Sequence, residues 1–375
     1  MGSVAAAMHA KGFTVTGSDE NVYPPMSTFL ERQGIQIFPG YKAQNIPETA
    51  EVIVVGNAIS RGNEEAEAAL ERKLLYVSLP EILKEHFLRG RRNLVVSGTH
   101  GKTTTSSILA WLLKSAGVDP SYMIGGIPRN LGQGATFTDS DFVVLEGDEY
   151  DTAFFDKRSK FLHYLPEVVV INNIEFDHAD IYNSLDEIKL TFKRLLNIVP
   201  RNGMAFVNGD CVNTMDVASD GPAPITTVGL GAKCDLQITD IDYGRENTSF
   251  VLDGEHYVLP MAGEFNVRNA AMAICTASFS GFSADEIRDG LASFEGIARR
   301  QEVRGIAGGV RVIDDFAHHP TAIGLAVDSL RQQYPDSRLW VIFEPRSNTT
   351  RRNVFQDDLA NALSKADLVV VPAVP

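Results

Sequence analysis

The stretch Asn93-Leu-Val-Val-Ser-Gly-Thr-His-Gly-Lys-Thr-Thr-Thr-Ser-Ser107 constrains the fold more than any other. Leu94 to Val96 reads as an apolar strand running into a glycine turn that ends in Gly101-Lys102-Thr103. A helical pattern follows, from Thr104 through Ile108, Leu109, Trp111, Leu112 and Leu113. Strand, Gly-Lys-Thr and helix in that order form a phosphate-binding loop. Free N–H groups and the dipole at the helix start favour a polyphosphate. Lys102 adds a point charge for the terminal phosphates, and the Thr103 hydroxyl suits a magnesium ion. A full loop of this type carries a glycine five residues before the second one. Here that position is Val96 and the nearer glycine is Gly98, so the loop is a shortened variant.

A loop of this kind near residue 100 implies a domain before it and room for another after it. At 375 residues the chain is long enough for two or three domains. The first ninety residues alternate between helix and strand: helices at 4–9, 28–33 and 64–72, strands at 13–16, 35–38, 52–55 and 75–77. That is a Rossmann-like pattern, but it begins on a helix. The first strand and glycine loop of such a unit would lie before Met1. Arg89-Gly-Arg-Arg92 is a polar break that serves as a linker. Phe142 to Leu145 and Val168 to Ile171 are continuous apolar strands, as in a parallel sheet covered on both faces. Residues 226–260 contain shorter alternating strands, an antiparallel appendage. Helices follow at 266–278 and 283–293, the second opened by a Ser283/Glu286 capping box. After Arg304 an α/β pattern resumes, with strands at 310–313, 339–343 and 368–371 and helices at 322–333 and 352–364. It stops at Pro375, so both ends read as truncated. The expected fold is α/β in three domains: 1–91 Rossmann-like, 92–303 a central parallel sheet with the phosphate loop, and 304–375 Rossmann-like again.

Two sheet edges carry chemistry. The strand ending at Leu145 delivers Glu146-Gly-Asp-Glu149, and ligands bind at the carboxyl ends of parallel strands. Carboxylates there, beside a phosphate loop, suit magnesium; Glu146 is the best placed because it ends the strand. The strand at 168–171 delivers Asn172 through Asp177-His178 to the same edge and puts His178 near a second divalent ion. Arg299-Arg300 lies at the second boundary. Paired arginines at a hinge can reach a transferring phosphoryl group, although residue type alone favours a solvated linker. Asp314-Asp315 with His318-His319-Pro-Thr321 reads as a ligand loop or an aspartate-capped turn. No Glu or Cys stands at metal-ligand spacing from His318 or His319, so no zinc site is expected there.

The net charge of -14 argues against a nucleic-acid partner, which needs a basic face. Three dispersed cysteines, Cys211, Cys234 and Cys275, make no disulfide framework and fit a reducing cytoplasm. No signal peptide and no apolar run of membrane-spanning length is present.

Taken together, these motifs resemble the Mur ligase family, ATP-dependent amide-bond-forming enzymes of peptidoglycan synthesis. Gly98-Thr99-His100-Gly101-Lys102-Thr103-Thr104 resembles the family's ATP loop. Glu146 and the Asn173…Asp177-His178 string resemble its two magnesium motifs. Gly263-Glu-Phe-Asn-Val-Arg-Asn269 resembles the segment whose last Asn lies near the adenine. Arg299-Arg300 resembles the arginine that reaches the γ-phosphate, and Asp314-Asp315 with His318-His-Pro320 resembles the C-terminal loop over the nucleotide. The resemblance implies ATP and Mg2+ as cofactors, with Lys102, Arg300 and His178 in catalytic roles.

Within the family, the double aspartate and His-His-Pro-Thr are similar to the branch that adds alanine to UDP-N-acetylmuramate. Asn21 to Thr28, Asp148 to Lys160 and Glu344 to Thr349 are similar to the branch that adds L-alanyl-γ-D-glutamyl-meso-diaminopimelate during peptidoglycan recycling, and that branch is the expectation. It implies that Arg346 and Asn348 meet the peptide's carboxylates and that Asp19 meets the uridine side of the sugar nucleotide. A cytoplasmic monomer or weak oligomer is expected. The alternatives are the alanine-adding branch and a phosphate-loop NTPase acting as a switch.

Overall fold

The computed structural model describes residues 1–179, 181–219, 221–245, 247–345 and 355–372. It divides into two compact units, one made of 1–91, 135–137 and 149–165, the other of 92–134, 138–148 and 166–375.

The first unit keeps the expected alternation. Strand Thr16–Asp19 runs parallel to Gln36–Pro39, and Ile53–Val55 runs parallel to Tyr76–Ser78. Helix Glu64–Glu71 starts at Asn63, whose side chain accepts from the N–H groups of Glu65 and Ala66, satisfying two of the helix's orphan donors. The strand expected at 13–16 lies three residues later. Helix Gly2–Ala10 wraps its end instead: Gly12 adopts φ +94° and the Phe13 N–H returns to the Met8 carbonyl at 3.2 Å. That closure belongs to a helix terminus, so Phe13 is spent on it. Residues 151–159 form an antiparallel hairpin of Asp151–Ala153 and Asp156–Ser159 that the sequence pattern did not disclose.

The second unit is built on one sheet. Its strands run in the order Ser121–Met123, Phe142–Glu146, Arg92–Ser97, Val168–Ile171, Met204–Asn208, Ile225–Gly229, Leu236–Tyr243, Thr248–Leu252, Glu255–Leu259. Pairing is parallel as far as Leu236–Tyr243 and antiparallel over the last two strands. The antiparallel strands expected within 226–260 therefore continue the parallel sheet at its edge. Leu94, Val96, Val143, Val144, Val168 and Val169 are all fully buried, as a sheet covered on both faces requires. Helices Lys102–Ser115 and Glu264–Phe279 pack on each other, and the second meets its neighbours through buried Ala270, Ala271, Ala273 and Ala277. Arg92, expected in a linker, opens a central strand; its guanidinium bonds Glu167 at 2.7 Å and covers the Phe142 ring. The Ser283/Glu286 capping box is present as expected.

Beyond residue 300 comes a hairpin of Glu302–Ala307 and Val310–Asp314, turned by Gly308 and Gly309 at φ +57° and +79°. Two left-handed residues between strands make the tight turn that glycine pairs favour. The domain boundary expected after 303 falls inside its first strand. Trp340–Ile342 pairs parallel with Leu368–Val370, and helices Pro320–Gln333 and Gln356–Leu363 enclose a small core of Ile323, Val327, Phe343, Ala362 and Leu363.

Candidate active site

The phosphate loop leaves the sheet at Ser97 and is fastened to the end of the neighbouring strand. The Thr99 N–H donates to the Asn173 carbonyl at 3.0 Å and the His100 N–H to Asn173 Oδ1 at 2.8 Å. Thr99 Oγ1 accepts from the Glu175 N–H at 2.8 Å. So close an approach needs glycine at 98: a Cβ there would sit 3.0 Å from the backbone of Asn172 and Asn173, at φ +122°. Gly101 is the N-cap of helix Lys102–Ser115, left-handed at φ +82°, and no side chain caps the helix. A helix start without a side-chain cap favours an anion. Any Cβ at Gly101 would press into the amides of Asn269 and Asn172. Gly101→Ala combines that overlap with left-handed strain. It is expected to weaken ATP binding at least about tenfold with a fall in melting temperature, both measurable by titration calorimetry and thermal unfolding.

The side chains expected to handle phosphate converge on Thr103. Its hydroxyl donates to Glu146 Oε1 at 3.0 Å and accepts from Arg300 Nη2 at 3.2 Å. Glu146 Oε2 accepts from the Gly125 N–H at 2.8 Å, so both carboxylate oxygens are oriented. Gly125 was not foreseen, although Gly125-Gly126 closely follows a parallel strand and was readable as a ligand turn. Lys102 Nζ donates to the carbonyls of Gly98 at 2.7 Å and Thr99 at 3.3 Å, across the mouth of the loop. Thr104 is buried in the first helical turn. Thr103 and Glu146 supply the hard oxygen donors that magnesium takes, so the residues present fit that ion.

Arg300 is not a solvated linker residue. Arg299 and Gln301 flank it at φ +61° and +48°, a conformation that costs energy for non-glycine residues and persists where surroundings impose it. The imposing contacts are the Arg299 N–H to Glu302 Oε2 at 2.8 Å, the Phe316 N–H to the Arg299 carbonyl at 2.8 Å, and the Gln301 N–H to Asp315 Oδ2 at 2.9 Å. Asp315 Oδ1 also accepts from the Ala317 N–H at 2.7 Å. Asp315, expected beside the nucleotide, therefore holds the Arg300 turn with one oxygen and its own loop with the other. The guanidinium lies against the Phe316 ring at 5.2 Å. Burial pulls its pKa down against the pull of Asp315 and Glu146.

Asn269 is buried on helix Glu264–Phe279, its Oδ1 3.5 Å from Asn172 Nδ2. His178 adopts φ +54°, its N–H donates to Asp177 Oδ1 at 2.7 Å, and its Nε2 is 4.0 Å from Asp177 Oδ2. Burial raises the Asp177 carboxyl, but His178 and its backbone bond outweigh burial and hold it below its ordinary value. Asp19 ends the strand Thr16–Asp19 in the first unit; it is exposed, and its carboxylate accepts from the Asn21 N–H. Arg346 and Asn348 lie outside the described residues.

No zinc site is expected at His319 from spacing along the chain; folding brings His100, Glu175 and His319 together with one donor atom of each within 4.8 Å of the others. The three are 75 and 144 positions apart in sequence, beyond any motif.

Three family models cover the chain: "Mur ligase family, catalytic domain" over residues 1–91, "Mur ligase middle domain" over 96–277, and "Mur ligase, glutamate ligase domain" over 299–373. A UDP-N-acetylmuramate–L-alanyl-γ-D-glutamyl-meso-2,6-diaminoheptandioate ligase of Escherichia coli K12 is 42% identical over 373 residues, covering 98% of this chain and 81% of its own. A UDP-N-acetylmuramate–L-alanine ligase of a Psychrobacter species is 35% identical over 381 residues, with coverage of 99% and 78%. The crystal structure of a murein peptide ligase from Psychrobacter arcticus superposes with a TM-score of 0.79 at 37% identity, over 99% of this chain and 82% of that one.

Proposed function

The chain belongs to the Mur ligase family, and from that premise we infer that it joins UDP-N-acetylmuramate to the tripeptide L-Ala-γ-D-Glu-meso-diaminopimelate with ATP, in peptidoglycan recycling. It is an ATP-dependent ligase. The observation that carries the reading is the convergence of Glu146 and Arg300 on the Thr103 hydroxyl beside Lys102, in a chain similar over nearly its whole length to tripeptide ligases.

The reaction has to make a carboxylate electrophilic. In our reading the lactyl carboxylate of the muramic acid attacks the γ-phosphorus of ATP, the bond to the β-phosphate breaks, and an acyl phosphate and ADP result. The tripeptide's α-amine attacks that carbonyl, and the tetrahedral intermediate collapses to amide and phosphate. Lys102 and the uncapped helix start bind the β- and γ-phosphates. Arg300 meets the charge on the transferring group from the Thr103 side. Thr103 and Glu146 would hold magnesium, which when bound neutralises phosphate charge, and His178 would stand by a second ion. Asn269 would orient the adenine. We assign UDP-sugar binding to residues 1–91 with Asp19 on the uridine side, ATP chemistry to 92–303, and peptide binding to 304–375 through Arg346 and Asn348. Positioning supplies most of the rate in such a transfer.

No helix among the described residues is long and apolar enough to cross a membrane. The test is phosphate release with ATP and UDP-N-acetylmuramate in three arms: tripeptide, L-alanine, and no amine. Release with tripeptide should exceed the other two by at least about a hundredfold, the discrimination expected when buried polar groups lose their partners. Equal rates in all arms would reject ligation, and a preference for alanine would move the chain to the alanine-adding branch.

A further inference from the structure

We propose that His100, Glu175 and His319 form a binding site for a zinc-class divalent transition-metal ion, distinct from the oxygen-donor site at Thr103 and Glu146. His100 Nε2 is 3.4 Å and His319 Nδ1 is 3.7 Å from Glu175 Oε2. A tetrahedral ion with bonds of about 2.0–2.1 Å holds its donors about 3.3–3.4 Å apart; the two spacings to Glu175 are close to that, and the two ring nitrogens lie within 4.8 Å of each other. Two imidazoles and a carboxylate select zinc, cobalt or nickel; magnesium takes oxygen donors and water.

The surroundings prepare the donors. His319 is buried, and its Nε2 lies 3.2 Å from the Phe176 carbonyl. A proton on Nε2, donated to that carbonyl, leaves the Nδ1 lone pair on the side of Glu175. This is the support that ligating histidines receive from a backbone carbonyl. The Thr321 hydroxyl donates to Glu175 Oε2 at 2.6 Å and fixes the carboxylate. Two contacts compete with an ion, both long: the His100 Nε2 hydrogen bond to Glu175 Oε2 at 3.4 Å, whose proton an ion would replace, and the Thr321 N–H on His319 Nδ1 at 3.3 Å. Burial also keeps His319 below its ordinary pKa, while His100 and Thr321 keep Glu175 below its own despite burial. A cavity of about 520 Å³ lined by Glu175, Phe176, His319, Thr321 and Phe355 leads to the cluster and gives an ion its entry path. An ion here ties the phosphate loop, through His100, to the start of helix Pro320–Gln333.

The inference does not rest on the ligase reading, and its test uses no substrate. Chelator-treated full-length protein in excess Mg2+ is titrated with Zn2+ by calorimetry, and with Co2+ by visible absorption. One tight site per chain is expected, with the intense absorption of low-coordinate Co2+ bound to imidazole. His100→Ala and His319→Ala should each weaken that site by more than the about hundredfold that loss of a supporting contact causes; His256→Ala, at a histidine remote from the cluster, should not. Far-ultraviolet circular dichroism checks that each variant is folded, and the isosteric Glu175→Gln serves if a histidine variant is not. Absence of a stoichiometric site, a weak octahedral Co2+ spectrum, or binding undiminished in the folded cluster variants would overturn the proposal.

Discussion

Lys102→Ala is expected to lower tripeptide-dependent phosphate release by about a thousandfold or more, with the melting temperature moving only slightly. The size follows from where the charge sits. Lys102 opens the helix that starts at the left-handed Gly101, and its Nζ spans the loop to the carbonyls of Gly98 and Thr99. In the proposed reading that position sets it beside the terminal phosphates bound at the helix start, where negative charge concentrates. A fixed cation aimed at a transferring phosphoryl group is worth several orders of magnitude in rate. The loop itself is held by other groups, namely Asn173, Glu175 and Thr99, so truncating the lysine leaves those bonds in place. Lys102→Arg keeps the charge and changes its shape; it should recover only a small part of the rate, because a planar fork does not replace a compact ammonium. Single-turnover phosphate release with saturating ATP separates this loss from weaker nucleotide binding. Near-normal turnover in Lys102→Ala would remove the loop from the reaction.

What was legible in the sequence divides by distance along the chain. Lys102 and Thr103 were readable because strand, turn and helix are contiguous, and Glu146 because a parallel strand delivers whatever follows it to one edge. The buried strands declared themselves as continuous Val and Ile runs. Arg300 was different: paired arginines at a hinge allowed a phosphoryl role, but residue type alone favoured a solvated linker, and the family resemblance tipped the balance to the phosphate. Its setting is made by Thr103, Asp315 and Phe316, of which the first lies 197 positions away. Asp315 reads from the sequence as part of a ligand loop or an aspartate-capped turn, and only the resemblance sets it beside the nucleotide; its two oxygens accept from the backbone N–H groups of Gln301 and Ala317. The hairpin at 302–314 hid behind Gly305, Gly308 and Gly309, which break the alternating pattern of a strand. The cluster of His100, Glu175 and His319 comes from three separate loops and leaves no trace in local spacing.

The second large effect is expected at Arg300. Arg300→Ala should cut kcat by about a thousandfold while the KM for ATP changes by less than about tenfold. The split follows from the geometry. In the proposed reading the nucleotide's ground state draws on Lys102 and the helix start, whereas Arg300 reaches the site through the Thr103 hydroxyl. A group in that place strengthens its interaction as charge moves during transfer, the behaviour of an arginine finger, whose removal costs about 10³–10⁵ in rate. Its desolvated position against Phe316 amplifies the effect, because charge interactions grow where water is excluded. The strained turn at Arg299 and Gln301 makes a second outcome checkable. Asp315→Asn keeps the shape of the side chain but weakens the acceptor for the Gln301 N–H, so it should lower kcat through Arg300 by a smaller factor, about tenfold to a hundredfold. If Arg300 and Asp315 act as one device, Asp315→Asn should have little further effect on kcat in the Arg300→Ala background. Full additivity of the two substitutions would show that Asp315 does not work through Arg300, and a rise in KM for ATP matching the fall in kcat/KM would place Arg300 in ground-state binding instead of phosphoryl transfer.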